Sequence, residues 1–261
     1  MRTYLPILSF LLVVLPLPSS DAAQSEFSPW ANFGVGSWVV VHTTMSGPKQ
    51  STEQRLKMII VRKKEGRPVV GVARQINGKF EPRFRTGQQV MGFSPRKLGM
   101  AQVKTTGGRH TIDGRRYDCT VKTYHVEDAA HQLSRTLKLW YARGVQLPYR
   151  EIIVDQGANV ALAGDVVKAE YEVKLAKRST SYSLEVTSLN DPLNVGSDRL
   201  QCAVEKGTAQ RTEDDQHSKI KSQRWISDRV PGHVVQMRGT VDVNGAKFEK
   251  TQRVEAFEVK H

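Results

Sequence analysis

The sequence predicts a mainly antiparallel β protein with little helix, on three observations. Its dominant hydrophobic period is two, three Asn-Gly or Asp-Gly dipeptides sit between strand-like flanks, and a block of motifs recurs after about 83 residues. Its 261 residues are enough for one large or two small domains. With 39% apolar and 25% charged residues, disorder and a multi-span membrane protein are excluded.

Taken in chain order, Arg2 and the apolar run of residues 4–17 precede the small, polar stretch Ser19-Ser20-Asp21-Ala22-Ala23, the layout of a secretory signal peptide. Cleavage after Ala22 puts Ser20 at the −3 position, and no Cys lies nearby to take a lipid. Residues 1–22 are therefore expected to be removed, leaving no transmembrane anchor. Residues 23–35 form a linker, in which Gly34-Val35-Gly36-Ser37 begins a turn.

Trp38 to Thr44 and Leu56 to Val61 are rich in β-branched residues and read as strands. Val167, Ala169, Tyr171, Val173 and Leu175 alternate with charged residues, as a strand with one wet face requires, and Leu184 and Val186 alternate likewise. Tight hairpin turns are expected at Asn77-Gly78, Asp113-Gly114 and Asn244-Gly245, because both positions of a type I′ turn need positive φ. Glu213-Asp214-Asp215 reads as a solvated tip between strands. Ser94 to Gln102 is the single helical candidate.

The repeat aligns Cys119-x-Val121 with Cys202-x-Val204, Trp140 with Trp225, and Leu147-Pro148 with Val230-Pro231; the cysteines are 83 residues apart and the tryptophans 85. Two β units follow: residues 36–165, and residues 166–261. Strand alternation points both sulfurs the same way as the neighbouring Val, inward. In an oxidising compartment Cys119 and Cys202 can form one disulfide or remain two separately buried thiols. Each Trp falls on the more polar face of its strand, where it either lines a ligand-facing wall or tucks beneath the Pro turn that follows.

Charge is uneven. The chain carries +13, and residues 62–116 hold fourteen basic residues against three acidic ones. This segment reads as an insertion into the first unit, displayed as surface hairpins. A hairpin at Asn77-Gly78 would project Arg74, Lys79, Arg83 and Arg85 toward an anionic lipid, a lipoprotein or a polyanionic glycan. Nucleic acid is not an expected partner, since no motif for it is present.

Residues 111–260 resemble bacterial envelope proteins related to the outer-membrane lipoprotein carriers. The likeness is carried by the Cys-bearing strand, the strands ending Trp140-Tyr141-Ala142 and Trp225-Ile226-Ser227, the Leu-Pro or Val-Pro turn and the return strand. It implies a curved antiparallel sheet or incomplete barrel whose concave face can hold an acyl chain. The chain has no N-terminal helix of the kind that plugs the carriers' cavity.

No Gly-x-Ser-x-Gly, His-Glu-x-x-His, phosphate loop or zinc-type Cys pairing is present, and the histidines are scattered without ligand spacing. No cofactor or metal is expected. Together these features predict an exported, non-catalytic binding protein of the periplasm or extracellular space, able to touch a membrane peripherally. It would hold an amphiphilic or anionic envelope ligand through Trp140, Trp225 and the basic quartet. The alternative is a secreted hydrolase whose site assembles only in space.

Overall fold

A computed structural model describes residues 28–48, 50–88, 92–155, 158–176, 178–214 and 216–261. The signal segment and residues 23–27 of the linker lie outside the described residues. The strands are β1 (Trp38–Gly47), β2 (Gln50–Lys64), β3 (Arg67–Ile76), β4 (Lys79–Phe80), β5 (Arg85–Gln88), β6 (Gly92–Phe93), β7 (Ala101–Ile112), β8 (Arg115–Asp128) and β9 (Leu133–Ala142). They continue as β10 (Arg150–Asp155), β11 (Ala158–Leu162), β12 (Val166–Leu175), β13 (Arg178–Val195), β14 (Asp198–Glu213), β15 (Gln216–Ile226), β16 (Val234–Val243) and β17 (Ala246–Glu258).

One antiparallel sheet runs in the order β4-β3-β2-β1-β17-β16-β15-β14-β13-β12-β9-β8-β7, with β5 also on β3. The first and last strands of the chain are neighbours in it, Trp38 opposite Glu258. A small sheet, β10-β11-β6, lies apart from this path. The large sheet curves without closing. At one side the β7–β8 turn meets β13, where the Asp113 carboxylate accepts from the Leu189 amide at 2.9 Å. At the other, the Arg253 guanidinium of β17 donates to the Asn194 carbonyl of β13 at 3.3 Å.

All three expected Xaa-Gly hairpins form, with positive φ at both residues of each pair (50° and 79° at Asn77-Gly78). Glu65-Gly66 makes a fourth such turn. Asp214, φ 49°, turns β14 into β15, while Asp215 lies outside the described residues. The Gly34–Ser37 turn is tied to the C-terminus, the Gly34 amide donating to the Lys260 carbonyl at 2.7 Å.

Two expectations need correction, and one open alternative is decided. Ser94 to Gln102 holds only a 3-10 turn, Pro95–Leu98. Pro95 suits its first position, but Gly99 in the left-handed region (φ 74°) ends it after one turn. The basic segment is no surface insertion throughout, because β3 is buried from Pro68 to Ala73 and Val70 belongs to the main core. Finally, Cys119 and Cys202 are free thiols. Three strands separate β8 from β14, roughly 19 Å at about 4.8 Å per strand, well beyond the Cα separation of about 7 Å at which a disulfide can still close.

Both cysteines are nonetheless buried on β8 and β14, and the registers around them match: Val121 lies opposite Trp140 and Val204 opposite Trp225. The return strands differ, since residues 169–174 lie on β12 directly beside the Trp140 strand, whereas β17 is one strand removed from the Trp225 strand. Burial raises the Cys202 thiol pKa to about 11 and that of Cys119 in the same direction. The Cys202 thiol should therefore resist alkylation at neutral pH in the native protein and react on denaturation. Rapid native labelling of Cys202, followed by mass spectrometry, would contradict this burial.

Candidate ligand-binding face

Residues directly paired across antiparallel strands share a face, so successive registers read as rows across the sheet. On one face, Leu139, Ala169 and Leu184 lie in one row and pack against Ile152, Val160 and Leu162 of the small sheet. That row continues beyond β13 as Gly207, Ser222, Gly239, Lys250, Met45 and Thr52. The row on one side of it is polar: Glu205, Arg224, Met237, Gln252, Thr43 and Gln54. The row on the other side is apolar: Ala209, Ile220, Val241 and Phe248.

Met45, Ile220, Met237 and Phe248 are half-buried and belong to none of the three core clusters. On the opposite face of the same strands, Thr208, Lys221, Thr240, Glu249 and Thr251 are exposed. The sheet's curvature thus shelters an amphiphilic face that the small sheet covers only in part. Side-chain bulk is lowest along its middle, at Gly207, Ser222 and Gly239. A Cβ at Gly239 would stand 3.0 Å from the Lys221 carbonyl, and one at Gly207 only 2.8 Å from the Ser222 hydroxyl. Glycine inside a strand marks such close approach.

The polar row begins at a buried charge cluster where the two sheets meet. Glu205 is 1% exposed and takes the Arg224 guanidinium at 2.5 Å and that of Arg150 at 3.8 Å. Arg150, at the start of β10, also donates to the backbone carbonyls of Val166 and Ala163. Burial pulls its pKa down to about 10, so it is charged at neutral pH. Burial likewise raises the pKa of Glu151, which accepts from the Tyr149 hydroxyl at 3.1 Å. Tyr149 in turn accepts the Gly92 amide at 3.1 Å, fastening β6. Lys250 is 5% exposed, and burial brings its pKa down to about 8.

The residues singled out in the sequence do not meet at this face. Trp225 is not a wall residue: it is 8% exposed, lies in the main core with Val230, and donates its indole N–H to Asp191 at 2.7 Å. The bent end of β13 brings that carboxylate to it. Trp140 is half-buried beside Gly108 and packs against the cluster containing Val145 and Leu147, with the Lys168 ammonium 4.7 Å from its ring. Both tryptophans thus pack with the turn that follows them. Arg74, Lys79, Arg83 and Arg85 are all exposed at the β3–β4 end of the sheet. Glu81, which sits among them, is engaged in the hairpin backbone, accepting the Arg74 amide at 3.1 Å.

Histidines pair locally. His42 faces Glu53 at 2.8 Å and Glu255 at 3.6 Å, His125 faces Glu127 and Thr136, and His131 faces Asp128. Arg150, Glu205, Arg224 and Lys250 drew no attention in the sequence. The signal that could have found them is the pair of strand-interior glycines, 207 and 239, on an otherwise alternating face.

No protein-family model matches this chain, and no curated protein does. Among solved structures, an exported protein from Bacteroides fragilis described as having a YmcC-like fold aligns over 87% of this chain and 97% of its own, at 7% identity and a TM-score of 0.35. At that score the likeness assigns neither fold nor function.

Proposed function

We propose that this is an exported, non-catalytic binding protein that holds an amphiphile with an anionic head on the partly covered inner face. The observation that carries the reading is the ordering of that face along the strands. Arg224 and Lys250 lie on the polar and middle rows, and Ile220, Val241 and Phe248 on the apolar row beside them. A carboxylate or phosphate head would sit against the two cations, and the acyl chain would run over the apolar row toward the Asp214 and Asn244-Gly245 hairpin tips. Basic side chains at the sheltered end meet the head's charge, while apolar area removes the tail from water at about 25 cal/mol per Å². Export rests on the N-terminal signal pattern. Among the described residues no helix is long and apolar enough to cross a membrane.

The test is native mass spectrometry of protein purified from its own cells, followed by displacement of a long-chain fluorescent fatty acid. Ser222→Leu fills the glycine-lined middle row and should weaken binding at least tenfold. Lys250→Met should weaken fatty acid by about tenfold or more, one charge-assisted hydrogen bond, and leave a neutral monoacylglycerol unchanged. Unaltered fatty-acid binding in both variants would remove the reading.

The exposed basic quartet suits delivery to an anionic membrane surface. Sedimentation with anionic vesicles should weaken as salt rises, because exposed charges are screened over about 8 Å at physiological ionic strength. It should fall further when Arg74, Lys79, Arg83 and Arg85 are all changed to Ser. Equal binding to anionic and neutral vesicles would leave that charge without a membrane role.

A further inference from the structure

The two ends of the large sheet are unlike. One ends in β4 and β5, strands of two and four residues. The other ends in β7, twelve residues without proline, and among the described residues no strand pairs with its outer edge. Every residue from Ala101 to Gly107 is exposed, Val103 at 60%. Among the described residues only the far end is occupied, where the His110 ring meets the Val186 carbonyl at 2.7 Å. Residues 101–109 therefore present a row of main-chain donors and acceptors to solvent, the template on which a further strand adds.

A second, independent feature lies on the same strand. Gly107 and Gly108, with Arg109, Asp118 and Cys119, line a shallow, open depression. A Cβ at Gly107 would meet nothing within 4 Å, so the strand is recessed on that face, whereas one at Gly108, on the opposite face, would strike Val121 at 2.6 Å, so Val121 already fills the space beneath it. In strand addition the main chain supplies affinity and such recesses select side chains.

We propose that the free edge of β7 is a docking site for an extended acidic segment of another protein, which joins the large sheet as an added strand and seats one side chain in the recess at Gly107. Charge chooses the occupant. The edge strand itself carries Lys104 and Arg109 and no acidic residue, Arg115 and Arg116 stand at its hairpin end on β8, and of the nearby carboxylates Asp118 is paired with Arg109 while Asp113 accepts the Leu189 amide. A second copy of this chain would bring the same basic set to the junction, like charge against like. An acidic strand meets it with opposite charge. This surface is separate from the amphiphile-binding face.

The experiment uses a ten-residue peptide of alternating Glu and Val, its Lys-Val counterpart, and two versions of the acidic peptide N-methylated at odd or at even positions. Binding is followed by fluorescence anisotropy and amide hydrogen exchange on the full mature chain. The acidic peptide should bind and protect amides of residues 101–109. The basic peptide should bind at least tenfold more weakly, and one N-methylated series should lose binding while the other keeps it. Lys104→Glu with Arg109→Glu, both exposed, should reverse the charge preference. Equal binding of both charges, protection confined to the β3–β4 hairpin, equal tolerance of both N-methyl series, or no binding would overturn the proposal. Concentration-dependent dimerisation that protects β7 without peptide would assign the edge to a second copy and overturn it as well.

Discussion

Replacing Glu205 with Leu should lower the unfolding free energy by about 3–5 kcal/mol, because removing one member of a buried ion cluster strands the other charges in a medium that solvates them poorly. Glu205 is 1% exposed and faces both Arg150 and Arg224. Without its carboxylate, Arg150 keeps two carbonyl contacts but no neutralising charge from β14. The loss should appear as a lower denaturation midpoint at unchanged slope. Converting the whole cluster, with Arg150→Met, Glu205→Leu and Arg224→Met together, should recover most of it, since an apolar set of similar volume has no desolvation penalty. A loss below about 1 kcal/mol in the single variant would mean that water reaches the cluster.

Lys250→Met should have the opposite sign at neutral pH, stabilising the protein by up to about 3 kcal/mol, the equivalent of a fall in pKa from 10.5 to about 8. Below pH 8 both folded and unfolded chains hold the proton, and the folded one bears the burial cost that lowers the pKa. Between about pH 8 and 10.5 the unfolded chain still holds a proton that the folded chain has shed, so wild-type stability rises with pH through this window. Subtracting the pH profile of the Met variant from that of wild type isolates this rise. A flat difference would show that Lys250 is solvated or neutralised. Lys250 lies on the sheltered face, and the Met variant is expected to gain stability as it loses fatty-acid affinity.

The period-two alternation, the three Xaa-Gly turns and the inward cysteines were legible because each depends on residues adjacent in sequence or on one strand's two faces. The helix expected over Ser94 to Gln102 failed locally, at Gly99, where a left-handed residue ends the turn before a second can form. Of the two alternatives for the cysteines, separate buried thiols hold and the disulfide is excluded for a non-local reason: equivalent positions on two hairpins of one sheet stand strands apart. Trp225 faces away from Ile220 and Ile226 as alternation requires, yet that side of β15 is main core rather than a polar face, and the bent end of β13 sets Asp191 on the indole.

Strand content, turn positions, the burial of Cys119 and Cys202 and the exposure of the basic quartet were determined by the sequence alone, since short-range sterics and alternation decide them. Tertiary structure decided that β1 pairs with β17, that the small sheet covers only part of one face, and that Arg150, Glu205 and Arg224 meet. These depend on register between strands more than 200 residues apart, where one residue's shift would turn every side chain to the other face.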